Sequence, residues 1–145
     1  MIFEKLVISL SITRLPFIIH GAVETPAAFS FLTTPEAQLP GASTEAKLIL
    51  RSYGGLLLIT GILCNFFAFR ETYDEATIGY GLSMAVYHLF PLYRALTRIS
   101  QGIGVKGPQG GTLGGPVMHA VAHLICLVSL LVAVFAAWTE TANSR

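Results

Sequence analysis

The chain reads as an all-α protein, a four-helix transmembrane bundle with both termini on the same side, and three observations carry that reading. First, its 145 residues are 53% hydrophobic and only 12% charged, where an ordinary soluble domain is about 25% charged. Second, four apolar runs, at residues 2–23, 48–69, 76–96 and 116–138, have the length a bilayer demands: a hydrocarbon core of about 30 Å takes some 20 helical residues at 1.5 Å each. Third, the stretches between them hold the prolines, glycines and charge clusters that end helices. Four such runs leave no room for a separate soluble domain, so residues 1–145 form one integral membrane domain. A net charge of +1 supplies no basic face to neutralise phosphates, which excludes nucleic acid as a partner.

The first run contains Arg14 and Pro16. A charged side chain deep in a bilayer costs about 2.5–3.5 kcal/mol, so Arg14 is expected to face the bundle or water, as an ion-pair partner or a substrate-binding group. Pro16 removes a helical hydrogen bond and is expected to kink the helix. Arg14 also interrupts the short apolar core that a secretory signal would need, and residues 20–24 make a poor cleavage site. Residues 24–44 carry Pro26, Pro35, Pro40 and Gly41 and read as a connection. Its apolar portion, residues 27–32, is expected at the membrane interface. Thr44 then reads as the N-cap of the next helix.

In the second run Arg51, Gly54, Leu58, Gly61 and Asn65 recur at helical spacing and are expected on one inward face, with Arg51 and Asn65 as substrate-binding candidates. Small residues let helices approach closely in lipid, and an intramembrane asparagine wants a partner. A short acidic turn follows, residues 71–75, expected to be a solvated loop, with cation binding as the sharper alternative. In the third run Tyr80, Met84, His88 and Pro91 share a face, and Pro91 is expected to kink the helix. Residues 102–107 match G-x-G-x-x-G formally, but no strand precedes them and no βαβ unit surrounds them, so they read as linker. The fourth run opens on Pro116, tolerated in a first turn. It carries His119, His123, Cys126, Leu130, Ala133 and Ala137 as one polar and small-residue stripe. Cys64 and Cys126 both lie in apolar runs, form no C-x-x-C pair and read as packing residues.

In a four-span topology the first and third connections lie on one membrane face. His20 and His119 then stand near that face, with His123 about 10 Å and His88 about 12 Å inside their helix ends. All four histidines therefore share one half of the bilayer, with Glu24, Lys47, Arg51 and Arg94 around the entrance. Ionisable groups inside a membrane are costly and are functional candidates by default. Histidine near neutral pH exchanges protons, binds metals or ligates haem. Three chemistries follow. His88 and His123 act as acid and base on a lipophilic molecule, with Tyr87 as donor and Tyr80 as a binding group. Alternatively His119 and His123, one turn apart, bind a metal with His88 and with His20 or Glu24. As a third option His88 and His123 ligate one b-type haem. In a purely structural reading the imidazoles only hydrogen-bond across helices.

The run Leu50-Arg51-Ser52-Tyr53-Gly54-Gly55-Leu56-Leu57-Leu58-Ile59-Thr60-Gly61 resembles the corresponding helix of small four-span DoxX-like membrane proteins. Residues 87–95 (Tyr-His-Leu-Phe-Pro-Leu-Tyr-Arg-Ala) and 115–119 (Gly-Pro-Val-Met-His) are similar to fungal four-span proteins. The resemblance implies a four-helix membrane bundle and transfers no catalytic residue.

Two functional classes remain. One is a small membrane enzyme acting on a terpenoid, sterol or polyketide of secondary metabolism by proton transfer or oxidation. The other is a non-catalytic accessory subunit. Both imply contact with membrane lipid, and membrane partner proteins or a homo-oligomer fit either. No cofactor is demanded by the sequence; metal and haem are the two it would accommodate. Lys47, Arg51, Arg94, Arg98 and Lys106 flank the long connections, against Lys5, Arg70 and Arg145 opposite. The positive-inside rule then places the histidine-bearing half toward the cytosol, with an endomembrane such as the endoplasmic reticulum as the expected location.

Overall fold

Pro16 opens a helix instead of bending one. The computed structural model describes residues 13–70, 72–105 and 115–143, and within it α1 spans Leu15–Thr33, with Pro16 in its first turn. There the missing N–H has no helical partner to lose. Arg14 stands just before that turn and not at mid-span, its guanidinium 5.8 Å from the centre of the Tyr73 ring. The helix expected to end at residue 23 runs on to Thr33, about ten residues further. Residues 24–33, expected as connection and interfacial piece, are helical and continue through Pro26. The portion of the expected span at residues 2–12 lies outside the described residues.

The short α2 (Pro35–Gln38) turns the chain, and α3 (Thr44–Ala68) follows. Ser43, one residue before the expected cap, receives the Ala46 N–H on its hydroxyl at 3.2 Å and satisfies one of the free donors of the first turn. Next come α4 (Glu75–Ser100) and α5 (Pro116–Asn143). Asp74 caps α4 by accepting the Thr77 N–H at 3.1 Å, and its carboxylate is gripped by Arg70 at 2.8 and 2.9 Å. The Thr77 N–H and then the Arg70 guanidinium hold this carboxyl below its ordinary range. The acidic turn is thus a helix cap with its own cation. Beyond α4, Gly102 and Gly104 take left-handed backbone (φ 69° and 70°), a conformation open to glycine at little cost.

α1 packs antiparallel against α3, and α4 antiparallel against α5. Gly54 and Gly61 set the first spacing: a β-carbon on Gly61 would stand 2.7 Å from Thr25 Oγ1, and one on Gly54 2.8 Å from Phe31 Cβ. Such close approach is how helices associate in lipid, where apolar burial supplies little drive. Phe17 of α1 stacks on Tyr80 of α4, and Cys64 and Thr60 of α3 reach the Tyr80 hydroxyl. These contacts join the two helix pairs into one four-rod bundle with α1 starting, and α5 ending, at the same end.

Among the described residues three helices are long and apolar enough to cross a membrane: Leu15–Thr33, Thr44–Ala68 and the Pro116–Thr139 portion of α5. Outward faces carry large exposed apolar side chains, such as Ile49 and Phe66 of α3 and Leu124 and Phe135 of α5. A water-soluble monomer rarely shows so much contiguous apolar surface. The protein is all-helical in its described residues and membrane-embedded.

Candidate functional site

One stripe along α1 positions the first half of the site. Phe17, His20, Glu24, Ala28 and Phe31 are all buried, and steps of three and four residues put them on a single helical face. The inward stripe of α4 is Thr77, Gly81, Ala85, His88 and Ala95. That of α5 is His123, Cys126, Leu130, Ala133 and Ala137, with the last four buried and His123 half-buried.

Where these stripes meet, three imidazoles from three helices form one row. His20 Nδ1 lies 2.8 Å from His88 Nε2, and His88 Nδ1 lies 2.9 Å from His123 Nδ1. His20 and His88 are fully buried. A neutral imidazole carries one N–H and one bare nitrogen, so the hydrogens along such a row all point the same way. In one sense His123 shows an N–H on its free nitrogen; in the other it shows a lone pair.

The row runs beside a cavity of about 550 Å³. His123, His119, Tyr87, Tyr53 and Glu24 supply its polar wall, and Phe31, Leu57 and Ala122 are among the apolar residues. Arg94, Arg98, Gln38 and Met118 line its end toward the α1–α3 and α4–α5 connections. The Tyr87 and Tyr53 hydroxyls share a hydrogen bond at 2.8 Å. A mostly apolar cavity with a few convergent polar groups is the usual form of a small-molecule site.

The expected site residues divide sharply. His88, His123 and Tyr87, read as the acid–base set, are brought together, and His20 joins them. His119 lines the cavity, its ring 6.2 Å from that of His123. The expected binding residues lie elsewhere. Arg14 is at the far end of α1. Arg51 donates to the Leu32 carbonyl at 3.3 Å, outside the cavity wall. Asn65 donates to the Gly61 carbonyl of its own helix at 2.8 Å, and its amide fills the space over Gly21. The buried face of α3 is therefore Gly54, Leu57, Gly61, Cys64 and Ala68, turned from the expected one so that Leu57 and Cys64 replace Leu58 and Asn65. Tyr80 donates to the Thr60 carbonyl at 2.9 Å within the aromatic core. Each of these polar groups meets backbone or a ring in the structure and none lines the cavity.

The metal and haem expectations also change shape. Among the described residues the grouping that could hold a cation is His20, Glu24 and His88, whose ligand atoms lie within 4.8 Å of one another, and it does not contain the His119–His123 pair. Two nitrogens on opposite sides of one metal stand about 4 Å apart at roughly 2.0 Å each, so the 2.9 Å contact of His88 with His123 is a hydrogen bond with no space for a haem iron. Glu24 is the residue that sequence reading left at the entrance. Its position four residues after His20, on the stripe with Phe17 and Ala28, is the signal that marks it as interior.

No family model, curated protein or solved structure matches this chain.

Proposed function

We propose that the protein is a small transmembrane enzyme that binds a lipophilic metabolite in the cavity and moves a proton to or from it, with His123 and Tyr87 as the groups in contact. The observation that carries this reading is the row His20–His88–His123 running from the buried interior to the cavity wall. A purely structural role would satisfy both nitrogens of each buried imidazole, whereas the row leaves His20 Nε2 without a partner. Here three costly side chains are spent on a continuous hydrogen-bonded path that ends at a hollow. With the hydrogens pointing toward the cavity His123 is an acid; with them reversed it is a base, and His88 and His20 carry the change inward. The apolar walls favour a sterol-, terpenoid- or polyketide-like molecule, with the Tyr87–Tyr53 pair able to donate to a carbonyl or hydroxyl on it.

In this reading α4 is the fourth crossing. Its 26 residues reach about 39 Å, enough to span, and Leu82, Val86, Leu89, Phe90 and Leu96 are exposed outward while the polar residues turn in. Both termini then lie on one side. The charges around the long connections favour a cytosolic setting for the cavity mouth in an endomembrane. The four-span resemblance agrees with this arrangement.

The test is the lipophilic metabolite profile of the host with wild type, His88→Gln and His123→Gln at matched accumulation. Loss of a product, or build-up of its precursor, in both variants is the expected result. An unchanged profile at full accumulation would leave the accessory-subunit reading in its place.

A further inference from the structure

Among the described residues three buried side-chain polar atoms have no hydrogen-bond partner, and two of them belong to neighbouring side chains of one helical face: His20 Nε2 and Glu24 Oε1. They sit one turn apart on α1, in residues 0% and 2% exposed, within the cluster whose ligand atoms lie no more than 4.8 Å from one another. A buried polar atom without a partner costs about 1–3 kcal/mol, and two such atoms on residues of one ligand-spaced group call for something that binds both. His20 is also held as a ligating histidine is held. Its other nitrogen, Nδ1, is fixed by His88 Nε2 at 2.8 Å, and a hydrogen bond on the second ring nitrogen is what sets the tautomer and aim of metal-bound imidazoles.

We infer that His20 Nε2 and the Glu24 carboxylate bind a divalent transition-metal cation, with His88 as the positioning residue behind His20. One imidazole and one carboxylate suit zinc, manganese, iron or cobalt better than calcium or magnesium. Glu24 lines the cavity and His20 lies behind its wall, so a cation held by the two would sit at the edge of the hollow, where water or an oxygen of the bound molecule could complete its coordination.

The inference rests on the acid–base reading above and gives it a direction. A cation on His20 Nε2 leaves the hydrogen on Nδ1, which donates to His88 Nε2. His88 then donates from Nδ1 to His123 Nδ1, and His123 keeps its hydrogen on Nε2. The row is thereby polarised toward the cavity, and His123 is the acid. No covalent or redox step is needed.

The experiment uses the full chain in detergent, stripped with chelator and titrated with Co²⁺, whose absorption bands report nitrogen and oxygen ligation, with elemental analysis after Zn²⁺ loading. One equivalent per chain is expected. His20→Ala and Glu24→Gln should each abolish it, His88→Ala should weaken it about 10- to 100-fold and shift the cobalt bands, and His119→Ala should leave it intact. A folded wild-type chain that takes up no cation overturns the inference. So does binding that survives both His20→Ala and Glu24→Gln, or that disappears with His119→Ala. A chain that alters the host's metabolite profile but binds no cation sinks this inference alone; one that binds the cation and leaves the profile unchanged sinks the acid–base reading alone.

Discussion

The two halves of the bundle interior are built on opposite principles. From Phe17 toward the start of α1 the helices close on one another: Phe17, Cys64, Ala68, Ala85 and Leu130 are buried together, with Phe67, Tyr73 and Tyr80 packed around them. From His20 toward the connections Ala28, Phe31 and Leu57 still close α1 on α3, but the four helices also enclose imidazoles, a carboxylate and a cavity of about 550 Å³. The contrast teaches which half holds the fold. Ring stacking of Tyr80 with Phe67 (4.5 Å between centres) and with Phe17 (6.2 Å) fixes the helices in register. That allows the other half to stay open and polar without the rods collapsing into the gap.

The largest test of this division is Phe17→Ala. Removing the ring that joins α1 to α3 and α4 should cost about 3–5 kcal/mol, read as a lower unfolding midpoint in detergent. A loss below 1 kcal/mol, within the range of ordinary surface changes, would mean that the closed half does not hold the bundle. Next comes a matched pair of overfilling changes. Ala85→Phe lies in the closed half, at 1% exposure, and should cost about 1–3 kcal/mol by overpacking. Ala122→Phe lines the cavity and should be nearly neutral, because the added ring has a hollow to enter. Equal losses in thermal unfolding would erase the distinction between the halves.

The smallest effect concerns the turn outside both. Asp74 has its carboxyl lowered by the Thr77 N–H and by Arg70, so its contribution is complete above the unfolded value of about 3.9 and is lost as pH falls through the lower folded value. Acid titration of the unfolding midpoint should therefore show an extra decline below about pH 4 that Asp74→Asn removes. A profile identical in the two proteins would mean that the cap contributes nothing measurable.

Residue by residue, what could be read early was what depends on local spacing. The inward stripe of α5 through Cys126, Leu130, Ala133 and Ala137 follows from small residues at steps of three and four, and the start of that helix from Pro116. The face carrying His88 on α4 was legible for the same reason. The α1 boundary was not, because Pro26 reads as a breaker, yet the helix carries it on its exposed side. Reading a loop there leaves Glu24 at the entrance, with His20 and Glu24 as alternative ligands and not as neighbours on one helical face. Asn65 misled in the other direction: polarity suggested an inward residue, whereas a neighbouring glycine on α1 and a carbonyl of its own helix accommodate it.

By itself the sequence determined an all-helical, membrane-embedded chain, since hydropathy, length and helix punctuation act over a few turns and need no partner. Only the tertiary structure decided which polar side chains meet. Hydrogen bonds between imidazoles 68 and 35 residues apart depend on how α1, α4 and α5 are rotated and offset. That rotation is set by ring stacking and glycine contacts between helices, which no single helix encodes.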